Sequence, residues 1–117
     1  MPKTLDGLQF LFSFSEEFGH FDPDPMDLIR TNFKKHTFEI ESIKNDYQFI
    51  GEYYYIHLGK GLAKLTARQI LGNEIIRYSI AFSCNSNGSG FYIYSQMIGP
   101  RPPNIKQNIG SYVILNL

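Results

Sequence analysis

The 117-residue chain has a single cysteine, Cys84, so no internal disulfide can form and the covalent framework of small secreted domains is excluded. It also lacks any apolar run approaching the roughly 20 residues needed to span a bilayer; Val113-Ile114-Leu115 is far too short. The first 20 residues hold one Lys and the short apolar stretch 8–14, without a small-residue cleavage pattern. A cytoplasmic, non-membrane protein is the expectation. Net charge is missing too. Eleven basic and eleven acidic side chains cancel, which argues against a protein held on nucleic acid mainly by phosphate neutralisation.

Signatures of chemistry are equally scarce. His20, His36 and His57 have no partners at metal-ligand spacing, and Cys84 has no neighbouring histidine. A calcium loop starting at Asp22 fails, with Met26 at its fifth position, Asp27 where Gly is required and Phe33 at its twelfth. Gly59-Lys60-Gly61 is no phosphate loop, because Tyr54 stands where the first Gly belongs and no Ser or Thr follows Lys60. Gly88-Ser89-Gly90 lacks the third Gly of a dinucleotide fingerprint and lies between two strand-like runs. No nucleophile elbow is present. No metal, no cofactor and no catalytic set are therefore expected, and the chain reads as a binding protein rather than an enzyme. Gly90-Phe91-Tyr92-Ile93-Tyr94 has the aromatic interleaving of sheet-based RNA binders, but no Lys/Arg run adjoins it, so nucleic acid is an unlikely partner.

What is present is a succession of β-prone runs in a chain of ordinary globular composition, 43% hydrophobic with 10 Phe and 8 Tyr. Its length fits a single domain spanning residues 1–117. The strongest local signal is residues 74–98, where two β-rich runs flank Asn87-Gly88, a pair suited to a two-residue hairpin turn. With an uninterrupted register, Phe82 falls opposite Ile93, Cys84 opposite Phe91 and Tyr78 opposite Met97. One face would then carry Tyr78, Ile80, Phe82, Cys84, Phe91, Ile93 and Met97. Residues 63–68 alternate apolar and polar, and Gly72-Asn73 could fold them back so that Leu65 meets Ile80 and Ala67 meets Tyr78. A helix over 62–71 competes, because Leu62, Leu65, Ile70 and Leu71 partly fit a 3.6 period; strand is preferred. Residues 8–14, 38–41, 47–58 and 109–115 complete seven strands.

The one good helix signal begins at Asp24-Pro25, with Asp at the N-cap, Pro at N1, and Met26, Ile29 and Phe33 at helical spacing. It predicts a helix near residues 25–35. The resulting fold class is mainly β: an antiparallel meander curled into a half-barrel or small barrel, with the helix capping one end or covering a face.

Two functional expectations follow. Charge is segregated: residues 1–58 hold ten acidic and five basic side chains, residues 59–117 one acidic and six basic. Between residues 4 and 29 six acids occur with no Lys or Arg. Glu16, Glu17, Asp22 and Asp27 there surround Phe18, His20 and Phe21, a combination suited to docking on a basic protein. The first expectation is thus a protein-binding inhibitor, in its concrete form a bacterial immunity protein that neutralises a basic, nuclease-type toxin. The second is a small-molecule or lipid binder with a cavity inside the barrel. A three-residue turn at Gly59-Lys60-Gly61 would put Tyr53, Tyr55 and His57 on the face of Ala63, Leu65 and Ala67, where with Gln69 and Tyr78 they could orient a ligand. A four-residue turn would instead bury Tyr54, Ile56 and Leu58.

Overall fold

The computed structural model describes residues 1–14, 28–43, 48–71, 74–86, 88–98 and 106–117. Eight strands follow one another: β1 (Gln9–Phe14), β2 (Leu28–Phe33), β3 (Thr37–Ser42), β4 (Gln48–Gly59), β5 (Leu62–Leu71), β6 (Glu74–Ser86), β7 (Ser89–Ile98) and β8 (Lys106–Ile114). Each pairs antiparallel with its sequence neighbours, and β8 returns to β1, with Phe10 opposite Ile114 and Phe14 opposite Gly110, to close a barrel.

Strict alternation makes these residues wall segments. On β5, Ala63, Leu65, Ala67 and Gln69 are buried while Lys64, Thr66 and Arg68 face solvent. On β6 the inner set is Ile76, Tyr78, Ile80 and Phe82. With eight strands the lumen is just wide enough for side chains to fill. Here aromatic rings fill the half nearer the chain termini. Phe10 lies 5.3–5.8 Å from the rings of Phe12, Phe33, Phe82 and Tyr112, and Phe82 meets Tyr112 edge-on. Glycine makes room for some of these rings, since a Cβ at Gly51 would collide with Phe38. Residues 1–8 cross beneath this half, burying Leu5 completely and joining β2 through Gly7 N–H to Phe33 O, 2.9 Å.

The expected helix is corrected over the described part of its span: Leu28–Phe33 is a strand. Ile29 and Phe33 are four residues apart, a spacing that serves one helix face and one strand face equally. Thr31 between them is also buried, which only the strand period explains. The strand count rises from seven to eight for the same reason. Residues 24–27 lie outside the described part.

The competition over 62–71 resolves as strand, with Leu65 opposite Ile80 and Ala67 opposite Tyr78 as expected. The β6–β7 turn also falls where expected, since Ser86 pairs with Ser89. The register beyond it does not. A bulge between Cys84 and Ser86 puts Phe82 opposite Tyr92 and Cys84 opposite Gly90. One residue of slip exchanges the faces of a strand: Tyr92, Tyr94 and Gln96 point inward, and Phe91, Ile93 and Met97 are exposed.

Candidate functional site

The β4–β5 connection decides which face of β4 looks inward. Gly59 pairs with Leu62 across a two-residue turn in which Lys60 and Gly61 both have positive φ (49° and 77°), a left-handed geometry that continues the twist of the strands. A bulge between His57 and Gly59 adds one residue. The net register equals that of the three-residue turn, with Tyr53 opposite Ala67, Tyr55 opposite Leu65 and His57 opposite Ala63.

Tyr53, Tyr55 and His57 thus face inward, yet they do not share one site with Gln69 and Tyr78. The polar ends of Tyr55 and His57 hold the chain beneath the barrel, and that of Tyr53 holds the β2–β3 connection. The Tyr55 hydroxyl donates to Pro2 O (2.6 Å), His57 Nε2–H donates to Met1 O (3.0 Å), and the Tyr53 hydroxyl donates to Lys34 O. Tyr112 adds a contact from its hydroxyl to Met1 Sδ, 2.8 Å. Burial pushes the Tyr55 hydroxyl up to about 12, so it stays a donor.

The opposite half of the lumen is polar. Gln69 on β5, Tyr78 on β6, Tyr94 and Gln96 on β7 and Asn108 on β8 form a buried band across four consecutive strands; Ser42 is buried near the same end on β3. The Tyr78 hydroxyl donates to Gln69 Oε1 (3.2 Å) and the Tyr94 hydroxyl to Gln96 Oε1 (3.0 Å), with the two rings 4.8 Å apart. Burial raises both hydroxyls far above the usual tyrosine range, and their proximity raises Tyr94 further. Both remain neutral donors, and no member of the band carries charge.

Beside Gln69 the wall opens. The β4–β5 ladder ends at Gly51 opposite Gln69; above it, among the described residues, Gln48, Phe49 and Ile50 take strand partners on β3, and Ile70 and Leu71 on β6. A groove of about 500 Å³ lies at this split, lined by Thr37, Gln48, Phe49, Ile50, Gly51, Glu52 and Arg68. Gln48, Ile50, Glu52 and Arg68 are exposed on the outer face, and no residue of the buried band lines the groove.

No family model, curated protein or solved structure matches the chain. Chemistry must therefore be read from the residues themselves. Among the described residues no cluster of three or more His, Cys, Asp or Glu could hold a metal ion. Glu16, Glu17, Phe18, His20, Phe21, Asp22 and Asp27 lie outside the described residues. Their segment joins the end of β1 at Phe14 to the start of β2 at Leu28, and both of these strand ends are at the polar end of the barrel.

Tyr94, Gln96 and Asn108 are not among the cavity residues that the sequence suggests. Residues 91–97 are amphipathic in either parity, and only the Asn85 bulge, which no periodicity reveals, chooses between them.

The raised tyrosines make an alkaline prediction. Tyr78, Tyr92 and Tyr94 keep their protons in the folded state above the pH, about 10, at which an unfolded tyrosine loses one. Below pH about 10 both states are protonated and this stabilisation is complete. As pH rises further only the unfolded chain releases protons, so stability falls, with Tyr55 contributing between about 10 and about 12. Ultraviolet titration should show the tyrosinate signal of these residues appearing together with loss of far-ultraviolet β signal. Their smooth ionisation within an intact fold would contradict the burial.

Proposed function

We propose that the chain is a binding protein for a small, neutral, hydrogen-bonding molecule that enters at the β4–β5 split and is oriented by the polar band. The observation that supports this reading is the buried, uncharged band of Gln69, Tyr78, Tyr94, Gln96 and Asn108; the groove of about 500 Å³ lies on the outer side of the split next to Gln69, and no band residue lines it. Carboxamides offer both donors and acceptors, tyrosine rings offer flat apolar faces, and the absence of charge in the band disfavours an ionic ligand, which would be buried without a partner. No catalytic role is invoked.

Native mass spectrometry of the protein from its own host tests this reading. A bound small molecule released on denaturation is expected. Gln96→Leu keeps side-chain volume but removes the amide, and should weaken retention by roughly tenfold. Purification free of any compound from several expression hosts, with no thermal stabilisation by a library of neutral aromatic amides and nucleobases, would sink the proposal.

A second reading is favoured by a separate observation, the six acids without a basic residue between positions 4 and 29. In it the chain inhibits a basic nuclease-type toxin, with Glu16, Glu17, Phe18, His20, Phe21, Asp22 and Asp27 as the contact set. Reversing Glu16, Glu17, Asp22 and Asp27 to Lys should slow association with such a nuclease, most strongly at low salt. An association rate insensitive to both ionic strength and the reversal would remove this reading.

A further inference from the structure

Besides the split between β4 and β5, the closed barrel leaves another strand edge open among the described residues. β3 covers β4 only as far as Thr37 opposite Glu52, and the last rung is Tyr53 N–H to His36 O, 3.1 Å. Along residues 54–59 no strand among the described residues pairs with β4 on that side. Backbone groups alternate along a strand, so the N–H and C=O of Tyr55 and His57 point the same way as those of Tyr53, toward this open edge. The outward side chains beside it are apolar: Tyr54, Ile56 and Leu58 are 69%, 44% and 60% exposed, and Leu62 on β5 is 50% exposed. Natural edges are guarded by Pro, by Lys, by an inward charge or by a bulge. Of these only the bulge between His57 and Gly59, at the turn end, occurs in residues 54–59.

We propose that a second copy of this chain pairs with this edge, β4 against β4 in antiparallel fashion, about a two-fold axis near His57. The segment is self-complementary in that arrangement. Ile56 and Leu58 of one copy lie across from Leu58 and Ile56 of the other. Because the strands run in opposite directions, Lys60 at the turn end of each copy comes to the end of the other that carries Glu52. Both Lys60 and Glu52 are exposed, and neither is in an ion pair among the described residues, although Glu52 lies opposite Arg68 across β4 and β5. Opposite charges thus meet at both ends of an apolar ladder, and a two-fold closes the assembly at a dimer. A foreign extended peptide could use the same backbone groups but would not supply this charge match.

Sedimentation equilibrium of the full chain over micromolar to millimolar concentration tests the proposal. Wild type should show a reversible monomer–dimer equilibrium, with the amide protons of Tyr55 and His57 protected from exchange only at the dimeric end. Ile56→Lys, at an exposed site, brings two like charges together across the axis and should weaken the dimer by roughly a hundredfold. Glu52→Lys and Lys60→Glu should each weaken it, and the double reversal should restore it. A wild type that stays monomeric to millimolar concentration overturns the proposal. So does a dimer indifferent to Ile56→Lys, or one that the double reversal fails to restore.

Discussion

Phe82→Ala should destabilise the fold by roughly 3–5 kcal/mol, while Ser83→Ala, one residue along the same strand, should change it by no more than about 0.5 kcal/mol. Phe82 is 1% exposed, and its ring lies among those of Phe10, Phe12 and Tyr112 from β1 and β8. Removing it leaves a void bounded by the strands that close the barrel, and a closed wall cannot collapse inward without shifting hydrogen-bonded neighbours. Ser83 faces solvent on β6. Urea unfolding of the two variants reads the difference directly. Equal losses would mean that the faces of β6 are assigned the wrong way round.

Leu5→Ala should lower stability by roughly 2–5 kcal/mol, although Leu5 belongs to no strand. It is 0% exposed and packs against the aromatic half of the lumen from below. The segment carrying it is fastened at both ends. Met1 and Pro2 accept hydrogen bonds from His57 and Tyr55, and Gly7 bonds to Phe33. A truncated side chain should therefore leave a cavity rather than a displaced segment. Tyr55→Phe, which loses only the bond to Pro2 O, should cost about 1 kcal/mol. Chemical denaturation again supplies the measurement. A Leu5→Ala variant as stable as wild type would show that the segment does not seal the barrel.

Much of the wall was legible because a half-buried strand writes its period of two into the sequence. Ala63-Lys64-Leu65-Thr66-Ala67-Arg68 did so, and both the strand and its register against β6 followed. The position of the β4–β5 turn was legible through its glycines, which allow positive φ, but its length and the bulge before it were not. The sequence therefore left open whether Tyr53, Tyr55 and His57 or Tyr54, Ile56 and Leu58 face inward. Where apolar residues fall four apart, as Ile29 and Phe33 do, helix and strand share the pattern, and a good N-cap at Asp24 tipped the reading toward helix. The candidate site was half legible. Gln69 and Tyr78 were named, but a bulge is a local backbone event that trades one residue of register for twist. Nothing in Ser83-Cys84-Asn85-Ser86 announces it, so Tyr94 and Gln96 were placed on the outer face. Asn108 was missed because β8 begins at Lys106, three residues before the run of β-prone residues that marked it.

The junction of β1 with β8 shapes how the molecule can form. Every other ladder joins strands adjacent in sequence, whereas Phe10 meets Ile114 across nearly the full length of the chain. Hairpins such as β5–β6 close short loops at small entropic cost, but this seam must gather both ends of the polypeptide. It also carries side-chain stitches at its rim: Asn116 accepts from Gln9 N–H (2.8 Å) and donates to Gly7 O (2.9 Å). The long β4–β7 sheet can assemble locally, and the ring then shuts by docking the first strand against the last. Among the ladders this seam therefore carries the largest loop-closure cost, and topology alone makes its docking the expected slow step of folding.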